Sequence, residues 1–128
     1  MNGRYLLDSN VLIDFLDGNE SAVGLRNAAA ASLYASVITR MELLSAVRNT
    51  EERVSTIYNL LSFFTIVPLN YKVEAKAIEI RRETGLKLPD AIIAASSIVT
   101  ESILITHDRH LKDAKWHELR AQENIDAL

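Results

Sequence analysis

Four short runs of the chain are apolar at successive positions: YLLD (5–8), YASVI (34–38), TIVPL (65–69) and SILIT (102–106). Runs of that length without alternation predict strands buried on both faces, the habit of a parallel sheet. The segments between them carry helical spacing instead. A short helix is predicted over 11–17, an Ala-rich one over 20–32 and a third over 39–48. From residue 51 onward, Val54, Ile57, Tyr58, Leu61 and Phe64 recur along one helix face. Over 71–84 the stripe returns as Val73, Ala77 and Ile80, and Gly85 stands where a left-handed C-terminal cap belongs. Pro89 suits the first position of one more helix, whose apolar body is 91–100.

Strands alternating with helices predict an α/β fold, a three-layer α/β/α sandwich with a central parallel sheet. No linker, repeat or low-complexity segment divides the chain, so one domain spanning 1–128 is expected. In open parallel sheets, ligands sit in the crevice outside the carboxyl ends of the strands. Four acidic residues fall at such strand-to-helix junctions. Asp8 closes the first strand, Glu42 lies three residues after Thr39, Asp90 adjoins Pro89, and Asp108 sits in ITHDRH just past the fourth strand.

Each acid also has a purely local explanation. Asp8 can cap a helix, and Thr39-Arg40-Met41-Glu42 matches a capping box. Asp90 is a favourable charge in a helix's first turn, and Asp108 a turn residue. Capping does not require the four to converge, whereas the sheet rule brings several of them to one edge. Carboxylates crowded there raise one another's pKa values. A hard divalent cation, Mg²⁺ or Mn²⁺, offsets that repulsion and bridges carboxylates to phosphate.

Composition narrows the chemistry. The 128 residues include no cysteine, which removes disulfides, thiolate nucleophiles and Cys-based zinc sites and fits a reducing cytoplasm. No apolar run nears the ~20 residues of a membrane span, and the N-terminus does not read as a signal peptide. Net charge is −3, so phosphate neutralisation over the whole surface is excluded and nucleic acid would need local Lys/Arg or a metal. The basic residues available are Arg40, Arg48, Arg81, Arg82, Lys87, Arg109 and Lys112, of which Arg40, Lys87 and Arg109 flank acidic motifs. His107, His110 and His117 lack metal-ligand spacing and read as surface residues, and Asp14 and Asp17 as the exposed side of the first helix. Neither a P-loop, a GxGxxG element nor a GxSxG elbow is present. A carboxylate cluster with such a cation suggests one chemistry above others, metal-assisted hydrolysis of a phosphodiester.

The ordered motifs LLDSNVLIDFL, ASVITRMELL, GLKLPDAIIAAS and LITHDRHL resemble the PIN domain, in particular the VapC-type ribonuclease toxins of toxin–antitoxin pairs. The resemblance covers residues 5 to about 111. It implies that Asp8, Glu42, Asp90 and Asp108 form the acidic quartet that holds Mg²⁺ or Mn²⁺ and activates water for RNA hydrolysis. It also implies supporting roles for Ser9, Asn10, Thr39 and Thr106, with Asn10 orienting Asp8 or nearby waters and the hydroxyls positioning carboxylates. Members of the family more often have Thr after the first aspartate, and often Asn at the last acidic position, where Asp108 keeps the charge. Homodimerisation and silencing by an antitoxin that sends a basic side chain to the acidic site are further implications. The 54–64 stripe would serve such a peptide only if it were not plain core. Alternatives are a PIN nuclease of RNA processing, and a non-catalytic nucleic-acid- or protein-binding PIN module, for which loss of an acid would be the sign. An aspartate phosphatase would need a second Asp where Asn10 stands. No site is assigned within 112–128.

Overall fold

The computed structural model describes residues 3–18, 32–113 and 115–119. Among them run β1 (Arg4–Leu7), α1 (Ser9–Leu16), β2 (Ser32–Ser36), α2 (Val37–Leu44), α3 (Glu51–Leu61), β3 (Thr65–Val67), α4 (Tyr71–Thr84), α5 (Leu88–Val99), β4 (Ile103–Ile105) and α6 (Arg109–Lys112). The expected helix over 20–32 lies almost wholly outside the described residues. The strands form an all-parallel sheet in the order β3-β2-β1-β4.

Strand alternation sorts the core into two layers. Leu6, Tyr34, Val67 and Leu104 face α4 and α5, whose buried residues include Val73, Ala77, Ile80 and the stretch from Ala91 to Ile98. Leu7, Ala35, Ile66 and Ile105 face the other way, onto Val11 and Leu12 of α1, Leu43 of α2, and Ile57, Leu60 and Leu61 of α3. Helices on both faces of a parallel sheet make the α/β/α sandwich.

The strands end earlier than the apolar runs do, and for identifiable reasons. At β1 the chain stops at Leu7 because the Asp8 side chain accepts from Ser9 N and begins α1. At β2 the Ser36 hydroxyl accepts from Ile38 N, so the helix starts at Val37. The capping box expected at Thr39 is therefore absent: Ser36 is the cap, and Thr39 lies inside the helix. In β3, Pro68 has no N–H to extend the ladder. Asn49 Nδ2 donates to Leu43 O and Leu44 O, tying off α2 well before residue 48. The stripe of α3 is core at Ile57 and Leu61, but Tyr58 is 58% exposed, so the buried face is centred on Ile57, Leu60 and Leu61 instead. Gly85 caps α4 in the left-handed region (φ +74°), as its position predicts.

Candidate active site

The order β3-β2-β1-β4 reverses direction at β1, since the chain steps outward through β2 and β3 and returns to β1's other side with β4. Such a switch point opens a crevice at the carboxyl ends of the two strands. Asp8 leaves β1 there, and the ladder continues one step as Asp8 N donates to Ile105 O at 3.0 Å. Thr106, His107 and Asp108 follow β4 on the other side of the same crevice.

Asp8 is 5% exposed, and both of its carboxylate oxygens are engaged. Oδ1 accepts from Ser9 N at 2.8 Å and Ser9 Oγ at 3.4 Å, and Oδ2 accepts from Thr106 Oγ1 at 2.8 Å. The Thr106 hydroxyl in turn accepts from Asp108 N at 3.0 Å. Thr106 thus joins the first acid to the backbone of the last. Asp108 itself caps α6 by accepting from His110 N at 2.8 Å.

Glu42 reaches the group from the second turn of α2. Starting that helix at Ser36 rather than Thr39 places Glu42 near α1, where Ser9 Oγ donates to its Oε1 at 3.3 Å. Its carboxyl is pushed above the usual range by partial desolvation, against the Ser9 hydrogen bond, and by the charges of Asp8 and Asp90. Asp90 stands in the first turn of α5. Its carboxyl is also raised, by desolvation first, then by Asp108 and Asp8, while Lys87 and His110 act the other way. Those mutual influences show that the four acids share one electrostatic environment.

The supporting residues divide. Ser9 bridges Asp8 and Glu42, and Thr106 bridges Asp8 and the backbone of Asp108. Asn10 does something else: its Oδ1 accepts from His107 N at 3.3 Å, tying α1 to the loop after β4. Beside it His107 Nε2 meets Asp14 Oδ2 at 2.9 Å, so Asp14 is partly buried and paired rather than simply solvated. Thr39 is fully buried and its Oγ1 has no hydrogen-bond partner. The sequence carried no signal for the Asp14–His107 link, because their separation of 93 positions is closed only by the β1–β4 pairing.

The donor set suits a hard cation: carboxylate and hydroxyl oxygens, with two of the acids raised by desolvation first and by neighbouring acids second. Among the described residues no group of three or more acidic or histidine side chains is arranged to hold an ion together. Mg²⁺ commonly uses only one or two carboxylates and keeps several waters, so the residues present fit it on those terms. No helix among the described residues is long and apolar enough to cross a membrane.

The family model described as PIN domain matches residues 5–117. No curated protein matches the chain. Among solved structures, a toxin–antitoxin complex from Klebsiella pneumoniae contains a chain 31% identical, with a TM-score of 0.73, covering 81% of this chain and 86% of that one. VapBC2 from Rickettsia felis, bound to a DNA fragment from its promoter, superposes with a TM-score of 0.75 at 21% identity, covering 85% and 91%. VapBC-1 from nontypeable Haemophilus influenzae gives 0.70 at 20% identity, covering 94% and 93%. At those lower identities the likeness is one of fold.

Proposed function

The chain belongs to the PIN domain family, and from that premise we propose that it is a metal-dependent endoribonuclease acting as the toxin of a toxin–antitoxin pair. One observation carries the reading: Asp8, Glu42, Asp90 and Asp108 share the switch-point crevice, and Glu42 and Asp90 are driven toward neutrality by burial and by the other acids. A cluster that costs stability when ionised has a use when a cation joins it. A divalent ion, Mg²⁺ or Mn²⁺, supplies a more acidic water and charge stabilisation on the phosphate. Asp8, fixed through both oxygens, is the pre-set member of the site. Glu42 and Asp90, with raised pKa values, are the better proton acceptors for the attacking water.

The Klebsiella relative is a member of a toxin–antitoxin complex, which supports an antitoxin partner here. An acidic crevice attracts Arg or Lys from such a partner by direct charge complementarity. The same reading includes a homodimer and RNA as substrate.

The test uses thermal stability with EDTA and with millimolar Mn²⁺, for wild type and Asp8→Asn, followed by cleavage of single-stranded RNA. Metal at 100 times its dissociation constant stabilises by about 2.7 kcal/mol. Wild type should gain that stability and cleave RNA only with the ion, and Asp8→Asn should lose both, with cleavage down at least about hundredfold. Cleavage that persists in EDTA, or in Asp8→Asn, would sink the proposal.

A further inference from the structure

The first and last acids of the crevice rest on elements seated in different halves of the core. Asp8 opens α1, whose Val11 and Leu12 pack in one layer with Leu7 and Ala35. Asp108 opens α6, whose Leu111 packs in the other layer with Leu6 and Ile93. The spacing of the two carboxyls therefore depends on what joins these elements beyond the end of the β1–β4 ladder.

Three successive bonds do so. Thr106 Oγ1 donates to Asp8 Oδ2 at 2.8 Å, and His107 N donates to Asn10 Oδ1 at 3.3 Å. The His107 ring then meets Asp14 Oδ2 through Nε2 at 2.9 Å. An ionised carboxylate only accepts, so Nε2 carries the hydrogen and donates it. Asn10 and Asp14 are four residues apart in α1, and side chains at that spacing are neighbours on one helix face. His107 is thus held along that face, its backbone at one turn and its ring at the next. By contrast, the bonds from Asp108 N to Thr106 and from His110 N to the Asp108 carboxyl are local to the loop. They shape the loop without setting where it lies against α1. A loop joined to its neighbour at one point can pivot about it, and the His107 contacts remove that freedom.

Stability is not a sufficient account of the pair. The side chains of His107 and Asp14 are 51% and 35% exposed, and exposed ion pairs contribute little to folding. What sets this pair apart is its place in the chain, one residue before Asp108.

We propose that Asp14 and His107 are positioning residues, whose hydrogen bond holds the Asp108 loop against α1 and so maintains the crevice's affinity for a divalent cation. The proposal rests on the nuclease reading above and adds to it two residues outside the acidic quartet. Asp14 acts through His107, and His107 through the backbone of the acid that follows it.

The test compares wild type with Asp14→Ala, Asp14→Asn, His107→Ala, His107→Gln and the double alanine variant. Two quantities are read, the urea midpoint in EDTA and the dissociation constant of Mn²⁺, the latter from the electron paramagnetic resonance signal of the free ion. Midpoints should move by about 0.5 M or less, as befits an exposed pair. Each alanine variant should bind Mn²⁺ on the order of tenfold more weakly. The double variant should be no worse than either single one, because the two side chains act as a unit. Asp14→Asn keeps an oxygen acceptor and His107→Gln keeps an N–H donor, so both should restore most of the affinity. Alanine variants that bind Mn²⁺ as wild type does overturn the proposal and leave the nuclease reading standing. Midpoints that fall in step with affinity overturn it in favour of a structural role. Affinity lost as fully in Asp14→Asn as in Asp14→Ala also overturns it, since the charge of Asp14 and not its bond to His107 would then be what the ion feels. Wild type without affinity for Mn²⁺ overturns the proposal together with the nuclease reading.

Discussion

Replacing Thr106 by Val removes one hydroxyl and disturbs two acids. The side chain is 8% exposed, donates at 2.8 Å to Asp8 Oδ2 and accepts at 3.0 Å from Asp108 N. Valine keeps the volume and the β-branched shape, so packing changes little. A hydrogen bond to an ionised carboxylate contributes about 1.5–3 kcal/mol, and a neutral N–H bond about 1 kcal/mol. The expected cost is therefore about 2.5–4 kcal/mol in EDTA at neutral pH, or a drop in Tm on the order of 10 °C for a domain of this size. Urea unfolding at constant m measures it.

The same variant should weaken the response to Mn²⁺. Groups that hold ligating carboxylates in place change metal affinity by about 10–100-fold when removed. Thr106→Ser keeps the hydroxyl and loses one methyl, about 1 kcal/mol, and should retain the Mn²⁺ response. The combination separates positioning from packing. A valine variant within about 0.5 kcal/mol of wild type, with an unchanged Mn²⁺ titration, would refute the claim that Thr106 organises the crevice.

Three further outcomes follow from the same geometry. In EDTA, Glu42→Gln and Asp90→Asn should each raise Tm at pH 7, because both carboxyls sit above their ordinary values of 4.5 and 3.8 in the folded protein. Raised folded pKa values mean the native state binds these protons more tightly than the unfolded chain does. That stability is complete below the ordinary values and is lost as pH rises through the folded ones. Variant and wild type should thus converge in acid and part toward neutrality; an advantage that grows in acid would reverse the argument. Thr39→Val should be stabilising by about 1 kcal/mol in urea titrations, since it removes a buried hydroxyl that has no partner; a loss of stability would mean the hydroxyl is satisfied. Gly85→Ala should cost about 1–2 kcal/mol from the left-handed backbone alone, because nothing lies within 4 Å of the added methyl; a neutral change would remove that attribution.

Much of this architecture was legible because periodicity reports burial directly. The four apolar runs became the four strands of the sheet, and the 71–84 stripe with its glycine became α4, capped at Gly85. What the pattern could not show is where a polar side chain captures the backbone before the apolar run is over. Ser36 starts α2 inside the run YASVI, and Asn49 closes it at Leu44, so both ends of that helix were misplaced. Tyr58 shows the complementary limit: an aromatic ring satisfies a helical stripe in the sequence, yet the sheet covers only the face bearing Ile57, Leu60 and Leu61. The hold on His107 was illegible for a different reason. Asp14 and His107 are 93 positions apart, and no spacing rule pairs a helix after the first strand with a loop after the last.

The local and functional explanations of the acids turn out not to compete. Asp8 caps α1 and Asp108 caps α6, yet each cap consumes only part of the carboxylate's capacity. An ionised carboxylate has about four acceptor positions. Asp8 uses one oxygen for Ser9 and the other for Thr106, and Asp108 has one oxygen on His110 N. Capping fixes the rotamer and leaves acceptor capacity on both carboxylates. Glu42 and Asp90 cap nothing, and they are the two whose pKa values rise. The crevice therefore combines two acids that cap helices with two whose carboxyls are raised, by desolvation first and by neighbouring acids second. A cation that joined them would relieve strain at the second pair while relying on the first pair for its position. Substituting an acid of the first pair should cost fold stability and metal binding together, whereas substituting one of the second should cost metal binding and gain stability.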